Sequence, residues 1–165
     1  MIKDSGNRTD FGGAVRDIQK GKGRCDLMPL DVVAEMLATP TLANLHEFQM
    51  TGDVEYLYKA LSSSYVFSDV PTMLLEVAIH FEEGAEKYGE RNWQSGEGIP
   101  INCYLNSAIR HYLKWLRGDE DESHDRAFCW NILCCIWTCL HKPERNEYRL
   151  DFFQKENGND KNRKN

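Results

Sequence analysis

Between Ala127 and Leu140 the chain reads A-F-C-W-N-I-L-C-C-I-W-T-C-L, apolar on almost every side of a helix. Such a helix has no face to give to water, so other elements must surround it. The neighbouring sequence supplies helices to do so. Asp31 to Leu37, Leu42 to Phe48 and Val54 to Leu61 have short amphipathic patterns, with a Thr51-Gly52-Asp53 turn between the last two. Pro71 starts a longer helix over 72–88 that Gly89 closes. Arg91 to Pro100 holds Gly96, Gly98 and Pro100 and reads as a loop. Ile101 to Arg117 then places Leu105, Ile109, Tyr112 and Leu116 on one apolar face. The acidic run Asp119-Glu120-Asp121-Glu122 suits the positive end of the helix that follows. Only Tyr65 to Phe67 has strand character. The pattern predicts an all-α helical bundle.

With 165 residues the chain has room for one domain with a substantial core, and not for two. Residues 1–23, rich in Gly, Lys, Arg and Asp, are expected to form a flexible arm that orders only against something else. Residues 24–149 form the domain, and 150–165 a polar, disordered tail. A net charge of −6 excludes a general binder of polymeric nucleic acid, which needs a basic face. No run approaches the roughly 18 apolar residues of a membrane span, and the N-terminus shows no signal-peptide core, so the expected location is the cytoplasm. Six cysteines could form a disulfide framework, but Cys129, Cys134, Cys135 and Cys139 share the apolar helix and read as reduced core residues.

Two acidic clusters stand out. On a helix of about 100° per residue, Leu75, Ile79, Glu82 and Glu86 share a stripe with Glu83 on its flank. The same spacing aligns Glu122 and Asp125 with Cys129, Ile132, Leu133, Ile136 and Leu140. Carboxylates continuing core-facing stripes are costly unless a cation neutralises them, and oxygen donors of this kind hold hard divalent ions. Solvated helix faces are the other reading. For Asp119 to Glu122 the helix dipole is explanation enough, whereas Asp125 lies one turn further in.

Lys87, Arg91 and Arg110 put positive charge beside these acids, as a site for both metal and polyphosphate requires, or else they pair with the glutamates. Trp93 could stack on a base or close the core under its loop. His111 reads as a core-edge histidine, while His124 beside the acidic pair could be a ligand or proton carrier. Asn131, inside the apolar helix, needs a partner that a nucleobase or a structural contact would supply. The arm with Arg16 and Lys22 to Asp26 could fold over a substrate or a neighbour.

The strings G-K-G-R-C-D-L-M-P (21–29), H-F-E-E-G-A-E-K-Y-G-E-R-N-W (80–93), A-I-R-H-Y-L-K-W-L-R-G (108–118) and H-D-R-A-F-C-W-N (124–131) resemble the dATP/dGTP diphosphohydrolase N-terminal-domain family. Its members are common in phages and prophages. It is similar to the all-α, MazG-type nucleotide pyrophosphohydrolases. The resemblance implies hydrolysis of a purine deoxynucleoside triphosphate to the monophosphate and pyrophosphate, with Mg²⁺ or Mn²⁺ as cofactor. Glu82, Glu83, Glu86, Glu122 and Asp125 match the metal-holding E-E-x-x-E and E-x-x-D helices. It implies catalytic roles for Glu83, Lys87 and Arg110. Substrate contacts fall to Arg24, Asp26, Lys87, Tyr88, Arg91, Asn92, Trp93, Arg110, His111 and Asn131. A small-molecule nucleotide partner and a homo-oligomer also follow from the resemblance. A nucleotide-sensing helical module without turnover, or a structural phage protein with solvated acidic faces, are the readings from other classes.

Overall fold

The computed structural model describes residues 6–149, so the tail expected over 150–165 and the start of the expected arm lie outside it. Six helices make up most of the described chain: α1 (Leu30–Leu37), α2 (Pro40–Thr51), α3 (Glu55–Ser62), α4 (Val70–Tyr88), α5 (Ile101–Arg117) and α6 (His124–His141). The apolar α6 is central and packs against α3, α4 and α5. Phe128, Ile132, Cys134 and Cys135 of α6 are sealed with Tyr104, Leu105 and Ile109 of α5 and Leu57 of α3. All six cysteines are free, and burial pushes the Cys129 thiol up to about 12, so it behaves as a small apolar side chain.

Local signals set the boundaries. The Asp69 carboxylate accepts the Thr72 N–H at 2.8 Å and Pro71 lies in the first turn, which starts α4. Gly118, at φ 82°, ends α5 in a conformation that costs glycine least. The run Asp119 to Glu122 lies in the connection before α6 rather than in its first turn. Arg117 grips Asp119 and Lys114 holds Asp121 at 3.2 Å, which ties this run back onto α5.

The structure turns α4 away from the orientation its acidic stripe predicts. Leu75 is 73% exposed and Ile79 38%, while Val77 is buried and Met73 and Phe81 pack on the core. The helix is apolar on several sides, so periodicity did not single out a face. Its partners do: Phe81 and His80 lie against Trp130 with ring centroids 5.9 and 5.6 Å apart, and Arg126 of α6 donates to Glu76 at 2.7 Å.

Residues expected as a flexible arm contain an antiparallel hairpin, β1 (Arg8–Phe11) and β2 (Ala14–Asp17), while Tyr65 to Phe67 forms no strand. Gly12 and Gly13 make its two-residue turn with φ of 67° and 117°, the left-handed geometry that such turns require. Asn92 fixes the hairpin to the helical domain: it accepts the Val15 N–H at 2.8 Å and donates to the Val15 carbonyl at 2.7 Å. The hairpin tip meets the 95–97 loop so closely that a Cβ on Gly96 would lie 1.8 Å from the Gly12 carbonyl oxygen.

Candidate functional site

A cavity of about 740 Å³ opens between the hairpin, the C-terminal half of α4, the 90–94 turn, α5 and α6. That size suits a nucleotide-scale ligand. Its floor is aromatic, with Trp130 beside His80 and Phe81 and backed by the buried Tyr104 ring.

One wall is cationic. Arg16 of β2 is held over the Tyr104 ring at 5.0 Å and the Trp130 ring at 5.8 Å, and it donates to the Asn131 side-chain oxygen. Arg110 of α5 donates to the Ser107 hydroxyl at 3.1 Å. One terminal nitrogen of each guanidinium is buried and has no hydrogen-bond partner. Such donors are expensive to bury unsatisfied, and together they offer charge-assisted bonds to an anion. Burial, followed by repulsion from Arg16, lowers the Arg110 pKa; Lys22 at the rim is lowered by burial with further repulsion from Arg110 and Arg16. The ring nitrogen Nδ1 of His80 and the indole N–H of Trp130 are also buried without partners.

Beside Arg110, the lining formed by α5 and its connection to α6 carries imidazole and carboxylate. His111 Nδ1 lies 2.9 Å from His124 Nδ1, and the Glu122 carboxylate lies 3.4 and 3.7 Å from these same nitrogens. His124 Nε2 meets Asp121 at 2.7 Å. His111, Glu122 and His124 form one group able to hold a metal ion, and Asp119, Asp121 and His124 another. Burial, with Arg110 next, pulls the His111 pKa well below its ordinary value, so its ring is neutral near pH 7.

A family model described as dATP/dGTP diphosphohydrolase, N-terminal, matches residues 54–148, more than half of the chain. The chain belongs to this family. No curated protein and no solved structure matches it. Four wall-forming parts of the cavity (α4, the 90–94 turn, α5 and α6) lie within the family match, and the hairpin lies outside it.

The residues read from the sequence scatter around this geometry. Glu82, Tyr88, Arg91, Asn92, Trp93, Arg110, His111, Glu122 and Asn131 line the cavity. Asn92 and Asn131 are engaged, however: Asn92 clamps the hairpin, and Asn131 donates to the Ala127 carbonyl at 2.7 Å while receiving Arg16. Trp93 packs edge-on against Trp137, centroids 5.0 Å apart, and on Phe81. Lys87 and Tyr88 both reach Asp17 of the hairpin, at 3.0 and 2.7 Å. Burial works to raise the Asp17 pKa, but these hydrogen bonds outweigh it and hold the carboxyl below its usual value. Arg24 and buried Asp26 pair with each other at 2.6 Å, away from the cavity lining. Of the five acids, only Glu122 joins a metal-capable group among the described residues. Asp125 accepts the Arg126 N–H at 2.7 Å, Glu86 is exposed, and Glu83 lies outside the cavity lining.

His80, Asp121 and Trp130 are among the lining residues to which the sequence reading gave no role in the site, while Arg16 was read only as part of an arm that could fold over a substrate or a neighbour. An Arg-His pair on one helix followed by D-E-x-H at the start of the next is the signal that marks most of the second wall.

Proposed function

We propose that this protein hydrolyses a purine deoxynucleoside triphosphate, dATP or dGTP, to the monophosphate and pyrophosphate. The observation that carries this reading is the pair of buried, unsatisfied guanidinium nitrogens of Arg16 and Arg110 in a cavity whose other wall can hold a cation. Family membership supports a nucleotide diphosphohydrolase. In this reading Arg16, Arg110 and Lys22 take the phosphate oxygens and hold the chain in line for attack by water. The water oxygen bonds to the α-phosphorus and its proton passes to solvent, the α–β phosphoanhydride bond breaks, and pyrophosphate leaves with the electron pair. A Mg²⁺ or Mn²⁺ ion accompanying the triphosphate would find Glu82 as a carboxylate in the cavity lining. A divalent ion there supplies neutralisation of phosphate charge and lowers the pKa of a coordinated water. The aromatic floor around Trp130 receives the base.

Incubation of the purified protein with Mg²⁺ and a panel of deoxynucleoside and nucleoside triphosphates tests this directly. Pyrophosphate from dATP or dGTP ahead of the pyrimidine nucleotides is the expected result. Binding without product would turn the reading into that of a nucleotide-binding module. The expected homo-oligomer has a surface to use in the outward apolar side of α4, with Leu74, Leu75 and Ile79. Light scattering on the native chain and Leu75→Asp measures it: a dimer that dissociates in the variant is the supporting result.

A further inference from the structure

Hard cations such as Mg²⁺ take oxygen ligands and keep several waters, whereas imidazole suits zinc, iron and nickel. The acids that would make an all-oxygen site are dispersed: Glu82, Glu83, Glu86 and Asp125 join no metal-capable group among the described residues. What converges is two imidazoles and one carboxylate.

We propose that His111, Glu122 and His124 form a resident site for a borderline transition ion of the Zn²⁺ class, separate from the Mg²⁺ that accompanies a nucleotide. Their facing atoms make a triangle with edges of 2.9, 3.4 and 3.7 Å. Tetrahedral zinc, with bonds of about 2.0–2.2 Å, needs ligand separations of about 3.3–3.5 Å, so small side-chain shifts fit an ion. Two histidines and a glutamate leave a fourth position free, and His111 and Glu122 both line the cavity onto which it would open. The far nitrogen of His124 meets Asp121 at 2.7 Å, and Lys114 steadies Asp121 at 3.2 Å. A carboxylate behind a ligating histidine fixes its tautomer and aims its other nitrogen at the metal. His124 is only 2% exposed, so the ring is held in place. The alternative group through Asp119 is weaker, because Arg117 already grips Asp119 with two guanidinium nitrogens.

The proposal deepens the triphosphate reading, but ion binding is measured without nucleotide. The full chain, stripped by a chelator and then dialysed free of it, is titrated calorimetrically with Zn²⁺ and, separately, with Mg²⁺. One Zn²⁺ per chain, bound at least about a hundredfold more tightly than Mg²⁺, is expected. His111→Ala should abolish that binding. Asp121→Asn leaves all three ligands in place and should weaken it about 10–100-fold. Glu86→Ala, an exposed acid on α4, should bind as the native chain does. The six thiols are common to every variant, so binding to them is subtracted. Equal affinity for the two ions, or Zn²⁺ binding unchanged in both His111→Ala and Asp121→Asn, overturns the site. Tight Zn²⁺ binding without pyrophosphate release from any nucleotide upholds the site and sinks the proposed activity alone. Turnover with Mg²⁺ in a protein that holds no Zn²⁺ does the reverse.

Discussion

The two walls of the cavity use charge in opposite ways. Along the hairpin and α5, Arg16 and Arg110 each keep a buried nitrogen with nothing to bond, and Lys22 adds a third positive group under repulsion from both. Along the α5–α6 connection most of the charged groups have neighbours of their own: Asp119 has Arg117, Asp121 has Lys114 and His124, and Glu122 lies beside two histidines, while Glu120 is exposed. A wall with unmet donors gains from an incoming anion, because ligand bonds replace none already made. A wall whose acids already have neighbours gains less from a new partner. One cavity thus holds an anion-accepting side and a largely self-sufficient side.

Acid breaks this contrast most strongly. Burial pulls the His80 pKa down from 6.5 to about 4, so the folded state resists a proton that the unfolded chain accepts. The sign follows: this contribution to stability is complete above about pH 6.5 and is lost as the pH falls toward 4. A shift of that size corresponds to roughly 3 kcal/mol, and His111 shifts in the same direction. Urea unfolding at pH 7 and at pH 4.5 should show the loss. In His80→Gln the dependence should flatten.

Removing a cation sharpens the contrast. Arg110→Ala should lower kcat/KM for the preferred triphosphate about a hundredfold while leaving thermal stability equal or higher, since an unsatisfied buried group disappears. A large fall in melting temperature would show instead that Arg110 supports the fold. Asn92→Ala unfastens the hairpin at two backbone hydrogen bonds and should raise KM about tenfold through misplaced Arg16, with a smaller change in kcat. The smallest effect belongs to Glu86→Ala, expected to change stability by less than about 0.5 kcal/mol by denaturant titration, as suits an exposed acid.

Helices were legible because their caps and turns are local: Pro71 and Gly89 bracket α4, and Gly118 ends α5. The rotation of α4 was not, because several of its sides are apolar and only Trp130 and Arg126, far along the chain, choose among them. The hairpin carried a short-range sign in Gly12-Gly13, but β1 is mostly exposed and both strands are short and polar, without the alternation that advertises a buried face. Arg110 and His111 could be picked out as polar groups on a largely apolar helix, whereas Glu122 was one charge of an acidic run that the helix dipole already explained. Their company could not, since Arg16 reaches Asn131 across 115 positions of sequence. The same distance hid the work of Asn92, which reads as a ligand group and serves as a fastener.

The hairpin lies upstream of the segment that defines family membership, yet it furnishes Arg16 and Asp17 to the cavity. A fragment trimmed to residues 54–148 would leave Lys87 and Tyr88 facing an empty place where Asp17 sat, and one of the two buried, unpartnered guanidinium groups would be gone. The unit that expression, domain grafting or recombination must move intact is therefore longer than the unit that heredity labels.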